Sequence, residues 1–252
     1  MNFGKYPWQE IYDWFQENGT HNFPWRQYNI PENNRLYRVW ISEIFLQQTQ
    51  ADRVVGYFTK IIQAFPDVKT LAKTDYDTFF PYYKGMGYYS RARNILKTAK
   101  ILDEIYKEKL PKNKKQLIKL PGIGEYTARA ILAFGYGEPT LAWDTNLEKI
   151  FSRYFFGTKE RKLTDKEKQN IENDFKKFVV PKENPEKYVR DINNALMDFG
   201  RIVDKKTTDE IDWENYPIQS GIWYDTKGKN EIKTVKTRDI FPTPDAKIIV
   251  IL

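Results

Sequence analysis

Apolar residues recur at three- and four-residue intervals through most of the chain up to about Asp204, and the breaks between these runs are short. No other feature constrains the fold as much. A chain with one apolar stripe per helix, and brief turns between helices, must bury those stripes against one another, which is the all-α solution. Trp8, Ile11, Tyr12 and Phe15 form one such face, ended by Asn18-Gly19. Further helices are predicted over 37–50, 54–65, 90–107, 114–120, 146–154, 165–178 and 185–199, plus a short one capped by Thr74 or Asp75. The stretch from Phe23 to Asn34 reads as a loop. Beyond about Asp212 the texture changes. Ile222–Lys229 and Glu231–Lys236 alternate with period two about a glycine turn, predicting a hairpin, and Ala246–Leu252 reads as an apolar strand packed on the helices. The expectation is an all-α body with a short β-rich C-terminal tail.

Composition removes whole classes of chemistry. The 252 residues contain no cysteine, which excludes disulfides, thiolate nucleophiles, Cys-ligated zinc and an ordinary iron–sulfur cluster. The one histidine, His21, follows Gly19-Thr20 in a loop and reads as structural, so neither a His-based metal centre nor Ser–His–Asp catalysis is expected. No metal site is expected. No apolar run approaches the ~20 residues of a membrane span, and Met1–Lys5 does not look like a secretory leader, so a cytosolic protein with no membrane partner is expected. A net charge of +7, from 41 Lys and Arg against 34 Asp and Glu, favours an acidic partner, of which nucleic acid is the commonest. What remains for chemistry is carboxylates, amides, phenols and backbone.

Several stretches could carry it. In LPGIGEYTARA, Leu120 to Ala130, Gly122 and Gly124 flank Ile123, so the backbone can take positive φ on either side of a buried anchor. A glycine-lined turn at a helix N-terminus suits a phosphate, although an ordinary tight helix–helix turn reads the same way. In WISEIFLQQTQ, Glu43, Gln47 and Gln50 fall on one stripe of an apolar helix, either lining a polar cleft or forming a solvated face. A partly buried Glu has a raised pKa and can hold a proton near neutrality, as a general acid must. Asp144 follows Leu141-Ala142-Trp143 and opens a helix, with Asn146 close by. It is an N-cap, or the second acid of a pair suited to glycoside chemistry, or both. In PYYKGMGYYSRARN, Lys84, Arg91 and Arg93 are available to phosphates, and Tyr88 or Tyr89 can stack on bases or wedge between them, with one of the pair expected to be buried.

Taken together, these pieces resemble the helix–hairpin–helix DNA glycosylase superfamily, and most closely the MutY adenine glycosylases. The resemblance spans roughly residues 5–204: Pro24-Trp25-Arg26, SEIFLQQTQ, GMGYYSRARN, LPGIGEYTARAI, WDTNLEKIFSR and NNALMDFG occur in order at family-like spacing. It implies two helical subdomains with a cleft between them. Residues 26–137 would form a six-helix barrel carrying the hairpin, and 1–25 with 138–204 the other subdomain, followed by the 205–252 tail. It further implies that the turn Leu120–Gly124 grips a DNA phosphate through backbone amides, and that Gln48 and Tyr88 are wedges. Glu43 would protonate adenine N7 and then help activate water. Asp144 would stabilise an oxocarbenium sugar, with Tyr126 and Asn146 orienting the carboxylates and water. Trp25, Arg26 and Leu46 would line the base pocket.

Bifunctional relatives carry a lysine where this chain has Tyr126, so the resemblance implies a monofunctional enzyme. It would remove adenine mispaired with 8-oxoguanine or guanine. Two departures stand out. The cluster-ligating cysteines usual after the position of Gly200 are absent, so no cofactor is expected and Arg201–Asp204 must be held by packing alone. The tail is shorter than the family's domain for reading 8-oxoguanine, which implies weak discrimination of the opposite base. The rival readings are a thymine or uracil mismatch glycosylase, which resembles Arg-Arg-Thr where this chain has Gln47-Gln48-Thr49, and a helix–hairpin–helix module without catalysis, which would need neither Glu43 nor Asp144. The expected partner is double-stranded DNA with a mispair or lesion, bound by a monomer in the cytoplasm or, in a prokaryote, at the nucleoid.

Overall fold

A computed structural model describes residues 5–204, 206 and 210–228. Among them the chain is helical, without a strand. In order the helices are α1 (Trp8–Asn18), α2 (Glu32–Leu46), α3 (Ala51–Ala64), α4 (Val68–Ala72), α5 (Tyr76–Tyr83), α6 (Ser90–Tyr106), α7 (Lys114–Leu117), α8 (Glu125–Ala130), α9 (Thr145–Phe156), α10 (Asp165–Val179), α11 (Pro185–Ile202) and α12 (Ile222–Asp225). A 3₁₀ turn, Pro24–Arg26, precedes α2, and α8 continues as a π-helical segment, Ile131–Tyr136. Asp75 caps α5 by accepting from the Thr78 amide, and Thr164 opens α10 with a capping box closed by Glu167. No helix among the described residues is long and apolar enough to cross a membrane.

The apolar stripes condense into two cores. One gathers residues from Phe23 to Ala142, including Trp40, Phe45, Phe58, Phe79 and Leu102. The other joins both ends of the described chain: Trp8, Ile11 and Phe15 of α1 pack with Phe151, Phe175 and Phe199 of α9, α10 and α11. Each of these large side chains, withdrawn from water, contributes roughly 1.5–3 kcal/mol before ordering entropy is set against it. Helix α2 is buried along most of its length and packs against the π-helical segment, where a Cβ on Gly135 would stand 2.7 Å from a Leu36 methyl. Arg35 and Arg190 donate to the Gly135 and Phe134 carbonyls of that segment at 2.8 and 3.0 Å, satisfying acceptors in its altered ladder. This seam fixes α2 against α8, which sets Glu43 opposite Tyr126.

Several sequence expectations need correction. Helix α2 begins at Glu32, inside the expected loop, and ends at Leu46; Gln47 leaves helical geometry and Gln48 takes φ of +55°. Glu43, Gln47 and Gln50 therefore do not share a helical stripe. Ile222–Asp225 is a helical turn, not a strand. Its Trp223 is buried with Ile211, Tyr216 and Ile218, so this alternation reflects one-sided packing of an irregular segment. Glu231–Lys236 and Ala246–Leu252 lie outside the described residues. The Arg201–Asp204 stretch is held by more than packing: α11 runs to Ile202, and Asp204 forms a buried ion pair with Arg153, whose guanidinium lies over Trp223.

Candidate active site

Where the two cores meet, a cavity of about 680 Å³ opens, lined by Trp25, Arg26, Glu43, Leu46, Tyr126, Asp144 and Asn146 among others. Residues far apart in sequence reach it from α2, α8 and the start of α9. Glu43 projects from the last turns of α2 and is 5% exposed. Burial raises its pKa from the ordinary 4.5 to about 7; the Tyr126 hydroxyl and Arg26 pull it down, and Asp144 pushes it up. Its Oε2 makes no hydrogen bond among the described residues. Tyr126 is raised well above the usual phenol range, first by burial and then by Glu43 and Asp144, so it stays a phenol that can donate to a carboxylate.

Asp144 is both of the things its sequence context allowed. As N-cap of α9, its Oδ1 accepts from the Asn146 and Leu147 amides, each at 2.9 Å, and its Oδ2 accepts from Asn146 Nδ2 at 3.0 Å. Burial raises its pKa, opposed by those hydrogen bonds, while the helix N-terminus favours its anion. Asn146 in turn leans on Gly200, where a Cβ would come within 2.9 Å of the Asn146 Cβ. The glycine closing NNALMDFG therefore lets α11 approach the acid.

Other predicted residues fall into distinct places. Trp25 is 7% exposed and stacks on Phe23 at 4.7 Å. Arg26 lines the cavity, but its guanidinium is held by buried Asp198, at 2.7 and 3.1 Å, and by the Thr20 carbonyl. Gln48 and Tyr88 are exposed, and both take positive φ, +55° and +47°. Gln48 sits between Leu46 and Thr49, both of which line the cavity. Lys84 is exposed at a second groove with Arg53 and Lys60, and Arg93 is exposed over the Tyr76 ring. Tyr88 is 61% and Tyr89 44% exposed, so neither tyrosine is buried as expected. In the hairpin, α7 stops at Leu117, earlier than expected. Gly122 has φ of +81° while Gly124 is at −91°, so the left-handed residue lies on one side of buried Ile123 only. Leu120 is core, and both glycines are exposed.

Arg91 is the clear departure. Expected at a phosphate, it is 7% exposed and bonded to main-chain carbonyls. Sequence reasoning also missed Tyr28 and Asn194, which line the cavity and share a 3.0 Å hydrogen bond, and Asp198. The signal was available: Asn193, Asn194 and Asp198 are polar positions in an otherwise apolar, buried run of α11.

Two helical cores, a glycine-turn hairpin and two acids lining the cavity between the cores give the chain the architecture of a helix–hairpin–helix protein. Residues 41–181 match the HhH-GPD superfamily base excision DNA repair proteins, and the chain belongs to that family. It is 36% identical over 197 residues to an adenine DNA glycosylase of Buchnera aphidicola subsp. Baizongia pistaciae (strain Bp), covering 78% of this chain and 52% of that protein. It is 38% identical over 200 residues to the adenine DNA glycosylase of Buchnera aphidicola subsp. Schizaphis graminum (strain Sg), covering 77% and 53%. The chain thus spans about half the length of these curated relatives. Its fold is similar to that of a thermostable thymine-DNA glycosylase, with a TM-score of 0.70 at 24% identity, covering 87% of this chain and 95% of that one.

Proposed function

We propose that this protein is a monofunctional DNA glycosylase that hydrolyses the N-glycosidic bond of an extruded adenine mispaired with guanine or 8-oxoguanine. The observation that supports it most directly is the pairing, in one cavity, of a carboxyl that keeps its proton near neutrality with a carboxylate anchored at a helix N-terminus. The likeness to adenine DNA glycosylases narrows the base.

Glu43 gives its proton to N7 of the base as the C1′–N9 bond breaks and the bonding electrons leave with adenine. The Asp144 carboxylate faces the cationic sugar, and Asn146 holds that carboxylate by one of its oxygens. Water then adds to C1′, and its proton returns to Glu43, which closes the cycle. Tyr126, as a phenol, steadies the acid through both steps. It offers no amine to the sugar, and the one lysine among the described lining residues, Lys149, is exposed. The product is free adenine and an abasic site in an uncut strand.

Duplexes containing A:8-oxoguanine, A:G, A:C, T:G and U:G, incubated with the protein and then treated with alkali, test the reading. Cleavage at A:8-oxoguanine and A:G after alkali, and none before it, is expected. Cleavage confined to T:G or U:G would move the protein to the mismatch branch. No cleavage of any duplex would leave a binding module.

A further inference from the structure

Arg91 is nine-tenths buried with no carboxylate partner among the described residues, an expensive placement for a guanidinium unless its donors are met. Those of its two Nη groups are met by two loops, while Nε makes no hydrogen bond among the described residues. Nη1 donates to the carbonyls of Ile44, Phe45 and Gln47 at 3.2, 3.4 and 2.6 Å, the acceptors left open where α2 ends. Nη2 donates to Met86 and Gly87 at 3.1 and 3.4 Å, in the turn between α5 and α6. The next residue after each acceptor loop is one of the exposed left-handed residues: Gln48 follows Gln47, and Tyr88 follows Gly87. The Arg91 guanidinium also lies 5.0 Å from the Tyr88 ring centroid.

Positive φ in a non-glycine residue is held only where surrounding structure over-determines it. Here two such residues, forty positions apart in sequence, share one buried fork. We infer that Arg91 is a positioning residue that clamps the Gln48 and Tyr88 loops into a single rigid wedge, so that the duplex meets both side chains together when the base is extruded. The inference rests on Gln48 and Tyr88 being the wedge. It removes Arg91 from the phosphate-contacting set and gives it a task that a surface cation cannot perform. A lysine cannot reproduce it, because one ammonium on a flexible stem lacks the planar fork that spans both loops.

The test uses 2-aminopurine, a fluorescent adenine analogue, opposite guanine in a fully paired duplex or within an unpaired bubble, with fluorescence reporting unstacking on binding. Arg91→Lys is expected to bind both DNAs within about threefold of wild type. In the paired duplex its fluorescence rise should be at least about fivefold smaller, and adenine excision about tenfold or more slower. In the bubble, both readouts should stay within about threefold of wild type. Equal losses on duplex and bubble, or no loss on either, would overturn the clamp. If Arg91 variants fail to fold, Gln48→Ala and Tyr88→Ala, singly and combined in the intact chain, answer the same question. A rigid unit predicts extrusion defects that are strongly non-additive, and additive defects would refute it. A fluorescence rise without excision in the wild type would defeat the glycosylase reading alone, and no rise on either DNA would defeat both.

Discussion

Glu43 holds its proton near neutrality chiefly because the protein removes it from water; the neighbouring anion adds less. That placement has a sign. A carboxyl whose pKa is raised on folding binds more protons in the native state, so stability is fully present below the unfolded value of about 4.5 and declines as pH rises to about 7. The decline amounts to something on the order of 3 kcal/mol. Glu43→Gln should therefore melt with the wild type near pH 4 and above it at pH 8, while losing most excision, as differential scanning fluorimetry and single-turnover assays would read. Asp144→Asn should likewise keep DNA binding and lose excision; near-normal single-turnover rates in either variant would remove these acids from the mechanism. Excision by the wild type should fall as pH climbs past about 7. Both acids were legible in the sequence because each is a charge set into an apolar run. Arg91 was not legible as a buried group. It lies among aromatic and basic residues that read as surface, and its partners are carbonyls, which every residue has and no sequence marks.

Elements bring their own tests. The hairpin depends on Gly122, whose φ is +81° and where an added Cβ would stand 3.1 Å from the Asn94 Cβ, leaving little room for a side chain. Gly122→Ala should lower stability by about 1 kcal/mol or more and weaken DNA binding, since the turn itself would be displaced. Gly200→Ala acts elsewhere. It should push Asn146 and slow excision with little change in duplex affinity, a split that binding and single-turnover measurements would expose. The turn was legible because glycines punctuate a helical pattern, although which of the two would be left-handed was not. The end of α2 was also hidden. LQQTQ has no helix breaker; where the helix stops at Leu46, Arg91, from another part of the chain, takes up the carbonyls of Ile44, Phe45 and Gln47. Gln47, predicted beside Glu43, instead donates to Thr127 at 3.3 Å.

For the whole molecule, the net charge of +7 and the exposed Lys84 and Arg93 predict an affinity for duplex DNA that falls log-linearly with salt, by about 0.9 per phosphate neutralised. Lys84→Ala and Arg93→Ala should each shallow that slope by about one unit, and Arg91→Lys should leave it unchanged. A slope insensitive to all three would argue against this face. The helical body was legible from periodicity. The segment around Trp223 was not, because an irregular chain laid against a hydrophobic wall alternates much as a strand does. One feature of the architecture also governs how the molecule is made. The second core takes α1 from the beginning of the chain and α9, α10 and α11 from its later half. During synthesis at roughly 5–20 residues per second, the apolar face of α1 therefore waits on the order of ten seconds or more for its partners. The first core, contiguous in sequence, can close meanwhile. Ribosome-bound chains arrested before α9 should leave Trp8 open to a fluorescence quencher, and chains released after α11 should shield it. The opening helix is thus a segment that a nascent-chain chaperone would have reason to hold.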